Sequence, residues 1–179
     1  MSRWIVGMTV VSLCVSPRLA RAQHEHQPSP YVGLEQREIR ALSADQVEQL
    51  RAGEGMGLAL AAELNHYPGP RHVLDLAAEL DLSPDQRTAV SATMAAMQGE
   101  ARRLGEEILV QERTLDQTFT SRTITQSSLA TLTAQIARLQ GELRFVHLRA
   151  HLAVRAVLSD EQVRRYDSRR GYAGSEVRR

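Results

Sequence analysis

His147 and His151 stand four residues apart in a stretch with helical periodicity. On a helix their rings project from one side, about one turn apart. That spacing lets two imidazoles share a Zn²⁺, Ni²⁺ or Cu²⁺ ion. Both border the apolar seam of their segment rather than occupying it, which would keep the rings reachable. The same spacing also suits two histidines that line a buried polar edge or a dimer boundary. Glu63 and His66 read E-x-x-H and fall on one helical face. One such motif is a weak signal, because ferritin-like carboxylate sites use two on a four-helix core and no second occurs here. His72 lies just beyond a Pro-Gly-Pro break. Met56 carries a thioether but reads first as a core residue. His24 and His26 form H-x-H in a segment that reads as an exposed tail.

Other chemistries find no residues. Cys14 is the one cysteine, and there is no G-x-S-x-G elbow, phosphate-cradling glycine loop or H-E-x-x-H motif. The carboxylates fall on solvent faces, so the chain reads as a non-enzyme. Residues 1–22 read as a cleaved signal peptide: Arg3, the apolar run Trp4 to Ser16, then Pro17 and Ala20-Arg21-Ala22. The run is too short to span a bilayer, which takes about 20 residues. Cys14 lies inside it, preceded by Leu13 rather than a lipobox small residue. The expected product works in the periplasm, without thiols, and carries 19 arginines against 21 acids. It contains no lysine. Residues 23–81 hold four Arg against ten acids, and residues 138–179 hold ten Arg against five. Opposite ends of one molecule, or two copies, packing together explain that asymmetry better than a basic partner surface does. The slightly acidic balance argues against nucleic acid.

A pentad recurs that begins helices. Leu42-Ser43-Ala44-Asp45-Gln46, Leu82-Ser83-Pro84-Asp85-Gln86 and Leu158-Ser159-Asp160-Glu161-Gln162 each read L-S-x-[DE]-Q. Ser suits the N-cap, Gln closes a capping box, and the acid complements the positive helix end. Between the second and third copies run two segments with apolar residues at alternating spacings of four and three. The first passes through Val90, Met97, Leu104 and Ile108, with Gln111 as its one polar seam position. The second passes through Leu132, Ile136, Leu139, Leu143, Val146, Ala150, Ala153 and Val157. This predicts an all-α fold with a long antiparallel helical hairpin turning at residues 120–125. Short helices are expected at 44–51, at 56–65 and from Pro70 to Leu80, and another from Asp160 to about Arg169. The organisation expected is a flexible segment at 23–41, a helical domain at 42–170 and a flexible tail at 171–179. Phe145, Leu148 and Leu152 form a second apolar stripe off the seam. The N-terminal helices, a second subunit or a client protein must cover it.

Such pentads around a hairpin, behind a signal peptide, resemble the LTXXQ-motif proteins. These are the Spy/CpxP group of periplasmic chaperones and stress regulators, with their heavy-metal sensor and resistance relatives. The resemblance runs from about Leu42 to Tyr172. It is carried by the pentads, by the run from Val146 to Leu152, and by the stretch Gly55-Met56-Gly57-Leu58 to Pro68-Gly69-Pro70, which is similar to the metal-sensor branch. It implies an all-helical homodimer with a cradle-like body. It further implies that Glu63 and His66 join His147 and His151 as ligands. The expected function is that of a metal-responsive stress protein, with an ATP-independent holdase as the alternative. The partners to expect are unfolded proteins or a membrane-bound regulator.

Overall fold

The structure is a computed structural model that describes residues 29–172. The expected signal peptide with Cys14, the His24/His26 pair and the tail beyond Tyr172 lie outside the described residues. A body running from Gly33 onward contains the helices. After a 3-10 turn at Leu34–Gln36 come α1 (Ala44–Ala52), α2 (Leu60–Glu63), α3 (Pro70–Asp75), α4 (Pro84–Thr120), α5 (Gln126–Val157) and α6 (Asp160–Arg170). No strand occurs among the described residues. The hairpin is α4 and α5, of 37 and 32 residues.

Each pentad starts a helix by the expected route. Ser43, Ser83 and Ser159 accept from the backbone N–H of Gln46, Gln86 and Gln162, and each glutamine side chain returns a bond to the serine N–H. Thr125 and Ser128 build a fourth such box at the start of α5. The glutamines of the second and third pentads then do more. Gln86 Nε2 donates to Gln162 Oε1 and Gln162 Nε2 donates to Gln86 Oε1, both at 2.9 Å. Gln86 also donates to the Val157 carbonyl at 2.8 Å, and Gln162 to that of Leu80 at 3.2 Å. Two helix starts far apart in sequence are thereby tied at the base of the hairpin.

The core has two parts. One joins Ile39, Val47 and Leu50 to Leu104, Ile108, Leu139, Leu143 and Val146 on the hairpin. The approach of α1 to α4 is close: a Cβ on Gly105 would fall 2.1 Å from the Leu50 carbonyl oxygen, so only glycine fits. The other part joins Val73, Leu80, Val90, Val154, Val163 and Tyr166 at the hairpin base. Two expectations need correction here. Ala153 is exposed, and Val154 takes the seam position instead, fully buried. A helix of 3.6 residues per turn drifts against a 3.5-residue pattern, and α3 and α6 present their own core to the drifted face. The early helices are also shorter than expected: residues 56–59 form turns before α2, and α3 stops at Asp75.

Candidate functional site

The site forms where the short helices meet α5. His147 and His151 lie one turn apart, between Val146 of the first core cluster and Val154 of the second. The chain from α1 to α2 passes over them as Gly53-Glu54-Gly55-Met56-Gly57. Gly53, Met56 and Gly57 all hold positive φ, and Met56 does so without being glycine, at φ 41°. That conformation is uncommon for a side-chain-bearing residue and costs energy. Gly55 comes close enough that a Cβ there would stand 3.9 Å from His147 Nδ1. Next, α2 delivers Glu63, and the Tyr67-Pro68-Gly69-Pro70 break turns the chain so that the Tyr67 carbonyl reaches α5. These parts line an open cavity of about 280 Å³. Met56, Leu60, Glu63, Met97, His147 and His151 line it, with Arg71, His72, Arg170 and Tyr172 also on its wall.

Hydrogen bonds define the state of each group. His151 Nδ1 lies 2.7 Å from the Tyr67 carbonyl oxygen. A carbonyl only accepts, so Nδ1 carries the proton and, in the neutral ring, Nε2 keeps its lone pair. Gly69 leaves room for that ring, since a Cβ there would meet His151 Cε1 at 2.9 Å. His147 is 3% exposed, and its Nε2 is buried without a hydrogen-bond partner. Burial, followed by the neighbouring His151, holds its pKa below the usual histidine value, which favours the neutral ring. Glu63 is a hub. Its Oε1 accepts from Tyr166 at 2.5 Å and Tyr172 at 3.2 Å, with Arg170 Nε at 3.4 Å. Its Oε2 accepts from the Gly69 N–H at 3.2 Å and lies 3.8 Å from His151 Nδ1. Burial, then the bond to Glu63, pushes the Tyr166 phenol far above its ordinary pKa, so it stays a donor.

Of the four residues expected as ligands, Glu63, His147 and His151 share the cavity. His66 is not on its wall; its Nδ1 pairs with Asp167 Oδ2 at 2.8 Å, and its side chain is 61% exposed. The rings of His147 and His151 are also more buried than their place beside the seam suggested, because the loops before α2 and α3 close over them. Among the described residues, no cluster of three or more His, Cys, Asp and Glu side chains is arranged to hold a metal ion. Sequence reasoning missed Tyr166, Arg170 and Tyr172, which reach Glu63 across more than 100 residues of chain. It also read Met56 as core, whereas Met56 sits on a turn, partly exposed, at the cavity. The clustering of glycines around Met56 was the available signal.

The apolar stripe lies elsewhere. Phe145 and Leu152 are 59% and 57% exposed, and Leu148 is partly buried. α1 packs mainly on α4, and α2 and α3 reach α5 beside the histidines, which leaves the stripe open. Arg149, paired with Glu100 at 2.7 Å, stacks over the Phe145 ring at 5.5 Å. Among the described residues no helix is long and apolar enough to cross a membrane.

The fold is thus that of a small all-α protein, a capped helical hairpin whose base is tied by paired pentad glutamines. Compared with known families, the chain matches the LTXXQ motif family protein over residues 70–170, and it belongs to that family. Proteins of this family are associated with periplasmic stress and are generally not enzymes. Comparison with curated proteins and with solved structures gives no match.

Proposed function

We propose that this LTXXQ protein is a metal-responsive stress protein of the periplasm, binding one transition-metal ion at His147 and His151. Zinc, nickel and copper are the candidate metals. The observation that carries the reading is the pair of buried imidazoles one turn apart on the wall of one cavity. A metal needs neutral imidazole, and burial favours that form of His147. The Tyr67 carbonyl orients His151 as outer-shell partners orient ligating histidines. Glu63 lines the same cavity with its charge already shared among Tyr166, Tyr172, Arg170 and the Gly69 N–H, and His66 joins the set only if its ring moves to the cavity wall. The loops that cover the site come from α1–α3, so ion uptake would tighten the short helices onto the hairpin.

Thermal unfolding tests this directly. A ligand that binds the folded chain alone raises stability by about 2.7 kcal/mol at 100 times its Kd. Zn²⁺, Ni²⁺ or copper should therefore raise the Tm of the wild type but not of the His147→Ala/His151→Ala protein. An equal shift in both would place binding elsewhere.

A second reading has its own observation. The open Phe145/Leu148/Leu152 stripe beside Arg149 suits a holdase that grips unfolded chains without ATP, and it equally suits the subunit contact of a homodimer. Phe145→Ser/Leu152→Ser should abolish suppression of client aggregation under the first assignment. Under the second it should convert a dimer to a monomer in sedimentation. A membrane-bound regulator would be the partner of the metal-responsive form.

A further inference from the structure

We propose that the cavity selects a monovalent soft cation, Cu⁺ or Ag⁺, held by the thioethers of Met56 and Met97 together with His147 and His151. This rests on reading the cavity as a metal site and names the ion.

The donors on the cavity wall are mostly neutral. Met56 and Met97 line it together with the two histidines. The one carboxylate, Glu63, already accepts from Tyr166, Tyr172 and the Gly69 N–H and pairs with Arg170. Little negative charge is left to compensate a dication, whose desolvation cost rises steeply with charge. A monovalent ion escapes most of that cost. Thioether sulfur is a soft donor that selects Cu(I), and imidazole accepts it as well. Zn²⁺ and Ni²⁺ gain little from thioethers, and the described residues offer them no cluster of three His, Cys, Asp or Glu groups.

Two further features point at the cavity. Met56 is held at φ 41° between glycines, a conformation that a core-filling methionine has no need to adopt. Strained residues of this sort gather at ligand clamps. His147 lines the cavity, and its Nε2 is buried and without a hydrogen-bond partner, an arrangement that costs stability unless a further group engages the ring. A bound cation would engage it.

The test employs the full chain with Cys14→Ser, so that the one thiol contributes nothing. Cu⁺ is delivered anaerobically against a chromophoric competitor, Ag⁺ is measured in parallel, and Zn²⁺ and Ni²⁺ are titrated alone. One Cu⁺ or Ag⁺ per chain is expected, held about 100-fold or more tighter than Zn²⁺. Met56→Leu and Met97→Leu conserve volume and should leave Tm nearly unchanged. Each should weaken Cu⁺ binding about 10-fold while leaving Zn²⁺ binding alone, and the sulfur shell in X-ray absorption should shrink. If Zn²⁺ or Ni²⁺ binds at the histidines and Cu⁺ binds no tighter, the ion assignment is wrong and the metal reading stands. Cu⁺ binding that is indifferent to both leucine variants also overturns the assignment. Absence of binding by every ion removes the metal reading itself.

Discussion

Glu63 connects the site to the end of the fold through single atoms. Its Oε1 holds Tyr166, Tyr172 and Arg170, so one carboxylate joins α2 to α6 and to the residues beyond it. Tyr166→Phe removes the shortest of these bonds and leaves a buried carboxylate short of a donor. The expected cost is about 1–3 kcal/mol in urea unfolding, with the helix content retained. Glu112 makes a second residue-level prediction. Burial raises its pKa above the ordinary 4.5, so the folded chain holds the proton to higher pH than the unfolded chain does. Its contribution therefore lowers stability as pH rises through that window. Glu112→Gln should be more stable than wild type at pH 7, by less than about 1 kcal/mol because the site is partly solvated. The advantage should vanish below about pH 4, where both states are protonated.

At the scale of elements, the pentads act as caps and the second and third also act as a tie. The Gln86–Gln162 pair should show a coupling of about 0.5–3 kcal/mol in a double-mutant cycle with alanine. Gln46 paired with either of them should show none, because it caps α1 alone. Gly105→Ala would drive a methyl into the Leu50 carbonyl and lift α1 from the hairpin. A loss of about 1–3 kcal/mol or more is expected in thermal unfolding. Capping boxes and the hairpin period were legible in the sequence because both are local. The slip from Ala153 to Val154 was not, since it depends on which elements pack against the end of α5. The shortening of α2 and α3 was not legible either, and the Tyr67–His151 bond that fixes the chain between them is a tertiary contact that no local pattern announces.

Across the whole molecule, the histidine pair was readable from its spacing, but its surroundings were not. Glu63 and His66 look equivalent on a helical face, yet α2 ends at Glu63 and His66 takes a left-handed turn toward Asp167. The end of α2 and the left-handed backbone at His66 thus separate them, and distant α6 residues decide what Glu63 does. The same fold leaves the Phe145/Leu152 stripe on a face of α5 away from the cavity, so the proposed metal binding and the proposed client holding can be tested by separate mutations. The proposed metal response depends on the cavity holding a transition-metal ion through His147 and His151. Calorimetric titration of the wild type and of His147→Ala/His151→Ala, under anaerobic conditions for copper, tests it most directly. One ion per chain is expected for the wild type and none at that site for the double variant. Stoichiometric binding that persists unchanged in the variant would contradict it.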